Sequence, residues 1–171
     1  LHSTDAGATW TSIDLSSQLR MAIDAHFFSP TEGIVAGMGT GNHCTLLRTT
    51  DGTTFTSVFE STTAGSLCWK LDFPSHDVGF AAVQDTGAGP GTIARTRDGG
   101  ASWEELPLPT DFYPAIGVGF LTEEIGWVVS EDEALPAYRT FDGGATWEVE
   151  PDLAAPINRF RVLDDHTVIA V

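Results

Sequence analysis

Apolar and polar positions alternate in short runs along this chain, and Gly, Pro and Asp interrupt the runs at close intervals. Gly33-Ile34-Val35-Ala36, Leu46-Leu47-Arg48-Thr49 and Gly126-Trp127-Val128-Val129 are typical. Short β-branched and aromatic runs bounded by such breakers predict strands joined by tight turns. No window carries a capped apolar stripe of helical period; Ser16–Ala25 comes nearest and is short. The pattern predicts an all-β chain.

One motif recurs four times, as Ser3-Thr4-Asp5-Ala6-Gly7-Ala8-Thr9-Trp10, Thr49-Thr50-Asp51-Gly52-Thr53-Thr54-Phe55, Thr96-Arg97-Asp98-Gly99-Gly100-Ala101-Ser102-Trp103 and Thr140-Phe141-Asp142-Gly143-Gly144-Ala145-Thr146-Trp147. The aspartates stand 46, 47 and 44 residues apart, and the second copy is one residue shorter and closes on Phe55. A second marker precedes the later copies: Phe28-Ser29-Pro30-Thr31-Glu32-Gly33-Ile34, Phe73-Pro74-Ser75-His76-Asp77-Val78-Gly79 and Phe120-Leu121-Thr122-Glu123-Glu124-Ile125-Gly126, with a looser version at Val162–Ile169. Between the markers each unit reads as four strands, and four antiparallel strands per period of roughly 40–50 residues make the blade of a β-propeller. The parse is a half blade at 1–16, blades at about 20–60, 65–108 and 112–152, and a half blade at 156–171.

Composition narrows the function classes. The chain has 171 residues, 42% apolar and 19% charged, which suits one domain with a true core rather than disorder. Eight Lys and Arg face 24 Asp and Glu, a formal charge of −16, and the isoelectric point falls near 4.3. Such a surface repels phosphate backbones and anionic headgroups, so nucleic-acid binding is not expected. No run approaches the roughly 20 apolar residues of a spanning helix, so no membrane span is expected, and no targeting segment is visible.

The Ser/Thr-x-Asp-x-Gly-x-Thr/Ser-Trp motif resembles the Asp box, or BNR repeat, of sialidase-like and sortilin-like propellers. The fuller pattern, a Gly-Trp-Val-Val strand ahead of Arg-Thr-x-Asp-Gly-Gly-x-Thr-Trp, is most similar to the photosystem II stability/assembly factor-like propellers. The resemblance implies that Asp5, Gly7 and Trp10, Asp51 and Phe55, Asp98, Gly100 and Trp103, and Asp142, Gly144 and Trp147 fix hairpins between third and fourth strands. In that role Asp accepts backbone hydrogen bonds, Gly supplies positive φ and Trp packs between strands. The two half blades would either pair to close a four-bladed ring or belong to a longer propeller, and the second reading is the expected one.

Candidate chemistry is sparse. The resemblance places ligands on the face opposite the Asp boxes and in the central channel, and loops there carry Glu60, Asp85, Asp111, Tyr113, Glu131, Asp132 and Glu133. The run Glu131-Asp132-Glu133 lacks the ligand spacing of a calcium loop, and the five histidines follow no metal spacing, so no metal and no cofactor are expected. A sialidase-like site needs an arginine cluster and a tyrosine nucleophile with an acidic partner. Near first-strand positions stand Arg20, Lys70, Arg159 and Arg161, while Arg48, Arg95 and Arg139 sit just before the Asp boxes at the blade periphery. No catalytic residue is assigned.

Cys44 opens a third strand and Cys68 lies in the next blade's first strand. Two buried free thiols are one reading. A disulfide, suited to an oxidising compartment, is the other, and the radial offset of first and third strands opposes it. The expected function is a non-catalytic scaffold with a protein partner, in an extracellular or periplasmic setting. The alternative is a sialidase-like glycoside hydrolase or carbohydrate-binding propeller.

Overall fold

A computed structural model of the chain describes all residues except 88, 113, 131–136, 154–159, 165–166 and 171. The first four-stranded sheet holds β1 (Leu19–Phe27), β2 (Gly33–Gly39), β3 (Cys44–Thr49) and β4 (Thr56–Glu60). The second holds β5 (Ser66–Asp72), β6 (Gly79–Asp85), β7 (Thr92–Thr96) and β8 (Glu104–Pro107). The third holds β9 (Gly117–Phe120), β10 (Gly126–Val129), β11 (Ala137–Thr140) and β12 (Glu148–Val149). Strands pair antiparallel in chain order within each sheet. A further pair, β13 (Phe160–Val162) and β14 (Val168–Ala170), follows, and an isolated bridge joins His2 to Thr11 ahead of β1. The described residues form strands and turns with no helix. The chain is all-β, built as the blades of a propeller.

Ser16–Ala25, the stretch nearest to a helical pattern, is largely strand. β1 carries two register shifts against β2, between Leu19 and Met21 and between Ala22 and Asp24. Each inserts an unpaired residue, so the two-residue alternation of a regular strand is broken.

The core lies between consecutive sheets. Phe80 of β6 stacks on Phe120 of β9 with ring centroids 3.4 Å apart, and Ile93, Phe112, Val118 and Val128 are buried around them. Ile34, Leu46, Leu71 and Val83 fill the space between the first two sheets, with Phe28, Phe73 and Trp103 packed against them. The second strands are sandwiched on both sides, which is why they read as continuous apolar runs rather than alternating ones.

The four Asp turns share one hydrogen-bond scheme with a variant in the second. Thr96 Oγ1 donates to Asp98 Oδ1 at 2.8 Å and accepts from Gly100 N at 2.9 Å. Asp98 then accepts from Ser102 N at 2.8 Å and Ser102 Oγ at 2.6 Å. The scheme repeats around Asp5 and Asp142. In the shorter turn Asp51 accepts instead from Thr53 N and Thr54 N. These bonds favour the charged form: they hold Asp5 down to about 2 and keep Asp51, Asp98 and Asp142 below the usual carboxylate range.

The Asp98 and Asp142 turns also seat on the sheet before them. Arg48 Nε donates to Gly99 O at 3.2 Å, and Arg95 Nη1 donates to Gly143 O at 2.6 Å. Gly100, at φ +80°, lies so close to Ile34 that a β-carbon would fall 2.5 Å from its Cδ1. Arg48 and Arg95 therefore act at the joints between blades. Arg139, the third of the series, stacks between Trp127 and Phe141 at 4.9 and 4.4 Å.

Cys44 and Cys68 are joined in a disulfide, with Cα atoms 4.8 Å apart and no free cysteine in the chain. The bridge ties β3 of the first sheet to β5 of the second. The radial offset is spanned because β5 packs against β2 and β3 as well as β1.

Candidate functional site on the axial wall

The first strand of a propeller blade is the innermost, and here β1 lies beside β5, β5 beside β9, and β9 beside β13. A cavity of about 670 Å³ runs along them, lined by Ile23, Asp24 and His26 of β1, Trp69, Lys70 and Asp72 of β5, Gln84 of β6, Ile116, Gly117 and Arg161.

Two features of the first strands shape this wall. The first is an inner edge: among the described residues β1, β5 and β9 each end their sheet with no ladder partner on that side. Bare strand edges leave backbone donors unpaired, and two carboxylates cover part of the deficit. Asp24 Oδ2 accepts from Leu71 N at 2.9 Å and from Lys70 Nζ at 2.8 Å. Asp72 Oδ2 accepts from Phe120 N at 2.7 Å. Each carboxylate thus bridges its own blade to the next. The second feature is a bulge. Register slips between Ala22 and Asp24 in β1 and between Cys68 and Lys70 in β5, leaving Ile23 and Trp69 unpaired, and both line the cavity.

The wall carries charges of both signs. Asp72 is largely buried, and desolvation pushes its carboxyl up to about 6, against the pull of the Phe120 N–H, Lys70 and Arg161. Burial lowers the His26 imidazole, which packs against Phe28 and Phe73 at 4.9 and 4.6 Å. Trp69 is 38% exposed, and its indole N–H donates to Gln84 Oε1.

The residues expected from the loops are not gathered here. Glu60 ends β4; Asp85 ends β6 and accepts from Gly87 N at 2.7 Å; Asp111 accepts from Tyr138 Oη at 2.9 Å. None of the three lines the cavity. Tyr113, Glu131, Asp132 and Glu133 lie outside the described residues, as does Arg159. Arg20 bonds the Asn42 side chain and does not line the cavity, whereas Lys70 and Arg161 do. Among the described residues no group of three or more His, Cys, Asp or Glu is placed to hold a metal ion, and no helix is long and apolar enough to cross a membrane.

Asp24, Asp72 and Trp69 were not singled out from the sequence. The one available signal was the pair of acidic residues in first-strand segments otherwise rich in apolar residues.

No protein-family model matches the chain. It is 25% identical over 183 aligned residues to the photosystem II assembly lipoprotein Ycf48 of a Synechococcus strain, across 98% of this chain and 48% of that protein. The chain therefore spans about half the length of the curated relative it matches. Among solved structures it is similar to YCF48 bound to a D1 peptide (TM-score 0.59, 21% identity, 77% of this chain and 42% of that one). It is similar also to YCF48 from Cyanidioschyzon merolae (0.59, 22%, 83% and 43%). A GH74 xyloglucanase from Xanthomonas campestris aligns at TM-score 0.60 with 14% identity, over 86% of this chain and 26% of that one. These structures support the propeller fold, and the chain resembles Ycf48.

Proposed function

We propose that this chain is part of an assembly or interaction scaffold that holds a polypeptide segment on its axial wall, without catalysis. The observation that carries the reading is the sequence similarity to an assembly factor across nearly the whole chain, together with a structural neighbour described as bound to a peptide. The wall suits that role: an open strand edge offers backbone hydrogen bonds, and an aromatic face sits beside charges of both signs. The four Asp turns serve as Asp boxes, structural devices that fix the blade corners. The setting is extracellular or periplasmic, a reading supported by the disulfide and by the description of the relative as a lipoprotein.

A random-peptide display library selected on the immobilised protein tests this, run beside a glycan array. Enriched peptides whose capture is lost in Lys70→Glu support the scaffold reading. Absence of peptide enrichment, or glycan capture in its place, overturns it.

A further inference from the structure

We propose that Trp69 is the recognition platform of this wall, taking the ring of a proline or aromatic residue in an extended peptide laid along the inner edge of β5. The inference rests on the reading of the cavity as a polypeptide site and adds which side chain selects the partner and which chemistry it selects.

Three independent features hold the indole ready. Trp69 is the residue left out of the β5–β6 register, and a bulge re-aims the side chain that it displaces. Its N–H is bonded to Gln84, so the polar atom is satisfied and the ring plane is held. Its neighbour Cys68 is fully buried and bonded to Cys44, which anchors the strand one residue from the bulge. A large aromatic face held rigid in this way costs little conformational entropy on binding, the property that makes Trp a frequent anchor at protein interfaces. Ile23 occupies the corresponding bulge in β1 and also lines the cavity. Trp69 and Ile23 thus line the same cavity as the Asp24–Lys70 ion pair.

The wall favours a polypeptide over a sugar as occupant. A sugar ring also stacks on Trp, but it makes no use of a strand edge. β5 and β9 each present such an edge to the cavity, and adding an extended segment there supplies backbone bonds of the kind that the Asp24 and Asp72 carboxylates provide in part. Lys70 and Arg161 facing Asp24 and Asp72 complement a chain bearing both signs of charge better than a neutral glycan or a polyanion.

The test uses display-selected peptides as probes, with titration calorimetry on wild type, Trp69→Ala and Trp69→Phe. Enriched peptides are expected to share a Pro, Phe, Tyr or Trp. Trp69→Ala should weaken them by about tenfold or more, as for an interface anchor, and Trp69→Phe by about threefold or less. Replacing the peptide's ring residue with Ala should weaken binding to wild type and leave binding to Trp69→Ala unchanged. That double cycle reads the contact even if Trp69→Ala is less stable. If peptides lacking any ring residue are enriched, or if both variants bind as wild type does, Trp69 is not the platform, although the polypeptide site stands. If no peptide is enriched and a glycan binds with a change in tryptophan fluorescence that Trp69→Ala abolishes, the platform for a peptide ring and the polypeptide reading fall together.

Discussion

Asp72→Asn isolates the electrostatics of the axial wall. Burial raises the Asp72 carboxyl from 3.8 to about 6, so the folded protein binds a proton more tightly than the unfolded chain does. A carboxyl raised in this way contributes most to stability when protonated, and the contribution is lost as pH climbs from about 4 through about 6. A shift of roughly two units at 1.36 kcal/mol each sets an upper bound of about 3 kcal/mol between pH 4 and pH 8. Asn keeps an oxygen to accept the Phe120 N–H, now 2.7 Å from Asp72 Oδ2, and removes the buried charge. Because Lys70 and Arg161 lose a neighbouring anion, the expected gain at pH 8 is about 1–3 kcal/mol. For a chain of this size that is a rise in Tm of about 2–4 °C per kcal/mol. Urea melts of both proteins at pH 5 and pH 8 measure it. Wild type should lose stability over that interval relative to the variant, whose dependence then comes from the histidines, His26 lowered and His76 raised. Equal pH dependence in both proteins, or a variant less stable at pH 8, would mean that the Asp72 charge is not destabilising in the folded wall.

Three further perturbations probe the scaffold. Asp98→Ala removes bonds to Thr96 and to both the backbone and hydroxyl of Ser102; a loss of about 1–2 kcal/mol is expected in urea unfolding at neutral pH. The loss should shrink below pH 4, where wild type protonates the same carboxylate and sheds its depressed-pKa stabilisation. Arg95→Ala breaks a buried bond to Gly143 O and the pairing with Glu104. It should cost about 2–3 kcal/mol by leaving the carbonyl unsatisfied, and Lys should restore little because it lacks the fork that reaches both partners. Replacing both Cys44 and Cys68 with Ala opens a loop of sequence separation 24; about 3 kcal/mol is expected from the lost closure entropy, read as a lower urea midpoint.

The blade corners were legible because their chemistry is local. A Thr, an Asp and a Gly within five residues specify a turn whatever surrounds them, and the Asp98 and Asp142 turns use the same bonds. The axial wall was not legible, because its parts lie 46–48 residues apart in the chain: Asp24 meets Lys70 and Leu71, and Asp72 meets Phe120. Nothing near Trp69 announces a bulge, since an extra residue only interrupts an alternation that is already short. Arg48 and Arg95 had a visible position but no visible role, because the turn carbonyls they bond belong to the following blade. Loops are the usual carriers of function, yet Asp85 and Asp111 bond within their surroundings and the cavity opens elsewhere.

Hydrogen–deuterium exchange with a display-selected peptide bound tests most directly whether the innermost strands form the binding surface. Added protection is expected in Leu19–Phe27, Ser66–Asp72 and Gly117–Phe120, with the four Asp turns unchanged. Protection confined to the connections around Glu60, Asp85 and Asp111, with those three strands exchanging as in the free protein, would contradict it.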